Sequence, residues 1–182
     1  MDSRQLWNER YTKGLPSLET PDPFFLTMYE TYVGPQFPTP GLALDLAAGT
    51  GRHTRHLAEA GWNVCAVDIS DVAMEQLSAA SSALQVQTVC ADLSGYTLPP
   101  ATYDLIVLYY HFDRKLFPEV IQALRPGGIL ISKQAVGKPA NPAALQEKEL
   151  LLLTTGLTCL SYGERPVRDR GVAEYVGKLL TD

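Results

Sequence analysis

The stretch Gly41 to Ser70, GLALDLAAGTGRHTRHLAEAGWNVCAVDIS, constrains the fold more than any other part of the chain. Gly41 to Ala47 is an apolar run broken only by Asp45. Ala48-Gly49-Thr50-Gly51 follows at once, where a backbone must turn sharply and leave room for something beside it. Arg52 to Ala60 has helical character, with Leu57, Ala58 and Ala60 able to face a sheet, and Gly61 stands where a helix commonly stops. Asn63 to Ile69 is a second apolar strand that ends in an acid, Asp68. Strand, glycine turn, helix and strand make one βαβ unit.

Such a unit holds a nucleotide-like ligand, and the residues bear on which one. A dinucleotide turn wants G-x-G-x-x-G, a pyrophosphate on the helix N-terminus and an acid about 20 residues on for the ribose. Gly49, Gly51 and Asp68 fit part of that pattern, but Thr54 stands at the third glycine. Asp45, four residues before Gly49, would repel a pyrophosphate lodged on the following amides and attract a cation. S-adenosylmethionine (SAM) has no phosphate and carries an ammonium and a sulfonium. Asp45, Ala47, Gly49 and Gly51 therefore suit a cofactor whose amino-acid end lies against the turn, with Asp68 accepting both ribose hydroxyls.

The remaining elements alternate as an α/β chain should. Asp71 to Ser82 reads as a helix with an acid in its first turn, and Leu84 to Cys90 as the third strand. Tyr103 to Tyr110 is a nearly continuous apolar run, expected of a strand buried on both faces. Its end carries Tyr109, Tyr110, His111, Phe112 and Asp113; ligands of open parallel sheets bind beyond the carboxyl ends of the strands, which puts this cluster beside the ligand. Leu116 to Leu124 is a helix that ends at Pro126-Gly127-Gly128, and Ile129 to Ala135 is strand five. Gly137 to Pro142 reads as loop, Ala143 to Thr155 as a Leu-rich helix capped by Gly156, and Leu157 to Tyr162 as strand six. Val172 to Leu180 is strand seven, antiparallel to strand six because Val167 to Gly171 is too short for a parallel crossover.

DLAAGTGR, AVDIS, CADL at Cys90 to Leu93 and LRPGGIL at Leu124 to Leu130 resemble the class I SAM-dependent methyltransferases. The opening LWNERY at Leu6 to Tyr11 makes the chain most similar to the small tellurite-resistance and thiopurine methyltransferase-like group. Ala47 departs from the glycine that is commoner there. The resemblance implies a Rossmann-like seven-stranded, mostly parallel sheet in the order 3-2-1-4-5-7-6, last strand antiparallel, with helices on both faces. It implies one domain over residues 1–182: a core at 41–182 and an aromatic segment at 1–40 that closes over SAM. In that segment Trp7 and Tyr11 share a helical face and count as cofactor residues. Asp2 to Lys13 reads as one helix, Pro23 to Val33 as a second, and Gly34 to Pro40 as a stiff connection. The resemblance further assigns Asp92 to the adenine amino group and Leu93 to the ring, with a plain turn at Asp92 as the competing reading. Ile69 and Tyr109 join the cofactor set.

With 46% hydrophobic residues and 19% charged ones, 182 residues bury a real core. A formal net charge of -5 argues against a broad nucleic-acid surface. No apolar run is long enough to span a bilayer, so the expected setting is cytoplasmic. Cys65, Cys90 and Cys159 lie on separate strands with no metal-site spacing and read as buried thiols; no metal is assigned. The sequence carries no signal for an oligomeric state.

The implied reaction is an in-line displacement at the SAM methyl, to which alignment and desolvation of the acceptor contribute most. A thiolate, selenide or telluride needs no base, whereas a hydroxyl or amine gains from one; His111 is the candidate, with Tyr110 as orienting donor. His53 and His56 read as surface or capping residues. No N-P-P-Y or D-P-P-Y follows strand four, so a small-molecule acceptor leads. Arg165, Arg168 and Arg170 either frame an anionic acceptor or form a solvated loop, the latter favoured. The alternative to a transferase is a SAM-binding sensor or partner subunit.

Overall fold

The computed structural model describes residues 2–15, 19–138, 141–167 and 170–181. Seven strands form one sheet in the order β3-β2-β1-β4-β5-β7-β6, as the family resemblance implies. The chain divides into two compact units, Met1–Thr97 and Leu98–Asp182.

The first unit opens with α1 (Ser3–Thr12), α2 (Pro23–Met28), a π-helical turn (Tyr29–Val33) and α3 (Gly34–Gln36), and continues as β1 (Leu42–Leu46), α4 (Arg52–Glu59), β2 (Asn63–Asp68), α5 (Asp71–Ala80) and β3 (Val86–Cys90). Side chains set the helix starts. Asp2 accepts from the Arg4 N–H, Asp22 from the Phe24 N–H with Pro23 at the first helical position, and Ser70 Oγ from the Ala73 N–H. β2 runs parallel to both β1 and β3, and Leu44, Leu46, Ala66 and Val67 are fully buried between the layers. Helical geometry does not stop at Val33: it continues through Gln36, because Pro35 falls in the first turn of α3, where its missing N–H costs nothing.

Two expectations in this unit are corrected. Leu57 and Ala58 are buried but Ala60, past the end of α4, is exposed. His53 is not at the surface: it is 3% exposed, its ring lies 4.6 Å from that of Phe25, and its Nε2 accepts from the Asp22 N–H at 3.3 Å. The reason is that α2 packs an aromatic on α4 and brings a buried amide that needs an acceptor. His56 meets Phe25 and Tyr29 edge-on, and Trp62 Nε1 donates to Tyr29 Oη at 3.0 Å.

The second unit comprises β4 (Tyr103–Tyr109), α6 (Leu116–Ala123), β5 (Leu124–Val136), α7 (Glu149–Leu153), β6 (Thr158–Val167) and β7 (Arg170–Lys178). β4 and β5 are parallel, and β7 is antiparallel to both β5 and β6. β5 begins earlier than expected. Pro126-Gly127-Gly128 is part of it, because Gly127 N–H donates to Leu179 O at 2.7 Å and Leu179 N–H to Gly128 O at 2.9 Å. The long helix expected over 143–155 is reduced to α7. The carbonyls of Ala143 and Ala144 accept from the Arg114 guanidinium at 3.2 and 3.0 Å instead of from a following helical turn, and Gly137 N–H donates to Leu145 O at 2.8 Å.

Of the cysteines only Cys65 is buried; Cys90 and Cys159 are exposed, contrary to expectation. They lie on β3 and β6, the two outermost strands of the sheet, where one side of the strand has no neighbour to cover it. Among the described residues no helix is long and apolar enough to cross a membrane.

Candidate functional site

In the first unit the chain leaves β1 through three left-handed residues at alternate positions, Ala47 (φ 56°), Gly49 (φ 56°) and Gly51 (φ 80°). The glycines are required by space as well as by φ. A Cβ on Gly51 would stand 2.3 Å from Leu77 Cδ1, and one on Gly49 would stand 2.6 Å from Tyr11 Oη. Ala47 adopts the same backbone without glycine's freedom, at a cost of about 1 kcal/mol.

Two buried acids brace this turn. Asp68, 6% exposed, accepts from the Gly49 N–H through Oδ2 and from the Ser70 N–H through Oδ1, both at 2.9 Å. Asp45, 2% exposed, accepts from Thr54 Oγ1 at 2.6 Å. Burial raises the Asp45 pKa to about 7, against the opposing pull of the Thr54 hydrogen bonds. Thr54, the departure from the dinucleotide pattern, thus supplies the hydroxyl that holds Asp45.

α1 lies against the same turn. Trp7 and Tyr11 stack at 5.7 Å as their spacing implies, and Arg10 sits 4.9 Å from the Trp7 ring centre. Burial, and then the Asp68 charge, push the Tyr11 hydroxyl pKa up, so it stays protonated. Asn8 donates to Asp71 Oδ1 and accepts from Ser70 Oγ, each at 2.7 Å. Sequence reasoning passed over Asn8, Thr54 and Ser70. Only Ser70, a helix-capping type just before an acidic first turn, carried a readable signal.

The other first-unit candidates sit at the ends of β2 and β3. Ile69 is partly buried and its carbonyl faces Cys90 Sγ at 3.5 Å. Asp92 is exposed and accepts from the Ser94 N–H at 2.9 Å, a turn geometry, while Leu93 beside it is buried.

In the second unit Tyr109 closes β4 at 6% exposure. Tyr110 follows in the left-handed region (φ 54°), 51% exposed, with its N–H donated to Lys133 O at 2.8 Å. A bulky residue held there stores about 1–2 kcal/mol of strain, which is commonly tolerated at functional positions. His111 comes next and is partly exposed. Arg114 pairs with Glu149 at 2.6 Å, and Lys133 with Glu174 at 2.9 Å. Arg165 lies on β6, not in a loop, and also reaches Glu174, at 3.3 Å. Arg168 and the side chain of Arg170 lie outside the described residues.

The Gly49 turn distinguishes between nucleotide-like ligands. Its amide is donated to a carboxylate, so negative charge already stands where a dinucleotide fold would place pyrophosphate. A carboxylate oxygen accepts more than one hydrogen bond, so Asp68 can orient the turn and still meet a vicinal diol. The residues present fit SAM. Residues 43–128 match the family model described as methyltransferase domain.

Residues 43–128 thus carry a methyltransferase domain, on a sheet with the Rossmann-like methyltransferase fold. Its cofactor is SAM. No curated protein matches the methyltransferase by sequence. Solved structures share its fold at low identity. A 1,6-didemethyltoxoflavin-N1-methyltransferase from Burkholderia thailandensis, solved with S-adenosylhomocysteine (SAH), is 18% identical over 98% of this chain and 87% of its own, with a TM-score of 0.74. TehB from Haemophilus influenzae is 17% identical over 94% and 66%, with a TM-score of 0.74. A SAM-dependent methyltransferase from Leishmania major is 20% identical over 96% and 80%, with a TM-score of 0.72.

Proposed function

We propose that the methyltransferase moves the SAM methyl to a small-molecule acceptor, a thiol, a metalloid oxyanion or a small oxygen or nitrogen nucleophile. The observation that carries the reading is the buried Asp68 carboxylate fixed between the Gly49 and Ser70 amides beneath the Tyr11 hydroxyl. Support for a small acceptor comes from the toxoflavin-precursor enzyme among its structural relatives and from Tyr110-His111-Phe112-Asp113 standing where an N-P-P-Y motif would follow β4. The LWNERY opening supports a place beside the small tellurite-resistance and thiopurine group. We take residues 1–182 as one functional domain, with 1–40 as its cover.

SAM supplies an already activated methyl on a cationic sulfur. The protein's part is to hold and align. Asp68 accepts the ribose hydroxyls, the Ala47-Gly49-Gly51 turn receives the amino-acid end with Asp45 braced behind it by Thr54, and Ile69, Asp92 and Leu93 border the adenosine. Trp7 and Tyr11 exclude water over the turn. His111 takes the proton of a hydroxyl or amine acceptor while Tyr110 orients it; a thiolate or oxyanion dispenses with that step.

The test is calorimetric titration of wild-type protein and Asp68→Ala with SAM and SAH, followed by a mass-spectrometric screen of thiols, metalloid oxyanions and small heteroaromatic acceptors. Binding abolished by the substitution, together with one methylated product, supports the reading. Tight binding with no product across every class would favour the sensor.

A further inference from the structure

α1 has no fully buried residue, so it is held to the rest of its unit by a few contacts, and elements of that kind open at low free-energy cost. Asn8 makes two of those contacts and makes them in opposite senses. Its Nδ2 donates to Asp71 Oδ1 and its Oδ1 accepts from Ser70 Oγ. Both partners belong to the turn that fixes Asp68: Ser70 gives its N–H to Asp68 Oδ1, its hydroxyl oxygen caps α5 through the Ala73 N–H, and Asp71 is the first residue of α5. One helical turn along α1 from Asn8, Tyr11 places its hydroxyl over Gly49, whose own N–H goes to the other Asp68 oxygen. The helix is therefore linked by hydrogen bonds through Ser70 to one oxygen of the carboxylate, and its Tyr11 stands beside Gly49, whose N–H goes to the other oxygen.

We propose that Asn8 is a positioning residue for the cofactor, a two-way clasp between α1 and the Ser70-Asp71 turn that makes docking of α1 and loading of SAM one coupled event. This rests on the reading that Asp68 and the Gly49 turn hold SAM. The chemistry of the clasp is specific. An amide serves because it must give one hydrogen bond to a carboxylate and take one from a hydroxyl. Aspartate at position 8 keeps the bond from Ser70 but sets a second carboxylate against Asp71. Changing Asp71 to asparagine at the same time restores a donor opposite the acid and returns the pair to its original formal charge.

The experiment compares wild type, Asn8→Asp, Asp71→Asn, the double variant and Asp68→Ala in two readouts. One is calorimetric SAH affinity. The other is the rate of tryptic cleavage after Arg10 and Lys13 with and without SAH. Loss of a hydrogen bond to a charged group corresponds to about tenfold or more in affinity. Asn8→Asp is expected to bind SAH about tenfold more weakly and to be cleaved faster even without ligand. The double variant is expected to recover most of both losses, which a residue that merely fills space would not do. Wild-type affinity in Asn8→Asp, or no recovery in the double variant, overturns the clasp. If Asp68→Ala binds SAH normally, the underlying site reading fails and takes the clasp with it. If Asp68→Ala alone is impaired, that reading stands and only the clasp falls.

Discussion

The hydroxyl of Tyr11 occupies the space that a methyl group on Gly49 would need, 2.6 Å from where that carbon would stand. A helix from the first dozen residues thus reaches the turn after β1, and a side chain at position 49 would have to push the end of Tyr11 aside. Gly49→Ala is expected to bind SAH at least about tenfold more weakly, from the clash together with about 1–2 kcal/mol of left-handed strain. Gly49→Ala combined with Tyr11→Phe should regain the steric part and keep the strain. Calorimetric titration reads both; unchanged affinity in the single variant would mean that this turn does not border the cofactor.

Ala47 gives the opposite prediction. It holds φ 56° with a side chain, so Ala47→Gly removes strain that outweighs glycine's greater freedom in the unfolded chain. A gain of about 1 kcal/mol in urea unfolding is expected; a loss would show that the alanine methyl contributes more packing than the backbone loses.

Asp45 makes stability fall as pH rises. Its folded pKa, raised by burial to about 7 from 3.8, means that the folded chain keeps a proton the unfolded chain has released. The stabilisation is complete below about pH 4 and is lost as pH climbs through about 7, by a few kcal/mol in order of magnitude. Asp45→Asn, which retains an acceptor for Thr54, should show a flatter urea stability profile than wild type across that window. Parallel profiles would argue that Asp45 is charged throughout.

Arg114 organises residues 141–149 rather than a ligand. It donates to Glu149 and to the Ala143 and Ala144 carbonyls, and the first of these contacts holds the Glu149 carboxyl below the usual glutamate range. Arg114→Ala is expected to lower the urea midpoint slightly and to speed hydrogen exchange at the Gly137 and Ala144 amides. Because the Glu149 pKa is lowered, its contribution is present above its ordinary value of 4.5 and vanishes as pH falls through the folded one, so the difference between variant and wild type should shrink in acid. Exchange rates unchanged at neutral pH would remove Arg114 from this role.

His111→Gln separates acceptor classes. For a hydroxyl or amine acceptor kcat should fall by about 10²–10³ with SAH affinity intact, whereas a thiolate acceptor should be methylated at nearly the wild-type rate. An equal loss for both, or a loss of SAH binding, would move His111 out of proton transfer.

The Gly41–Ser70 unit was legible because it follows from local periodicity, and the antiparallel last pair from a short connection, whereas the full sheet order came from the family resemblance. The helix expected over 143–155 was not, since its apolar pattern is genuine but Arg114, about 30 residues earlier, takes the carbonyls that would have continued it. His53 was misplaced for a similar reason: its partners Asp22 and Phe25 come from another helix, and nothing beside it in sequence announces them. Within the candidate site the types that act through backbone spacing, Gly49, Gly51 and Asp68, could be read. Asn8 and Thr54, which act through side chains meeting across the fold, could not.

The π-helical turn at Tyr29–Val33 sets the rotational phase of the aromatic helix that begins at Pro23. Phe25 and Val33 are both fully buried although eight residues apart, a separation that in a straight α-helix leaves side chains about 80° out of line. A wider turn between them takes up that difference, as one extra residue threaded into an otherwise ordinary helix would. Insertions and deletions are therefore not equivalent to substitutions here. Removing any one residue between Tyr29 and Val33 would regularise the helix and leave Phe25 seven residues from Val33, about 20° out of line, so Phe25 would stay on the face that meets His53.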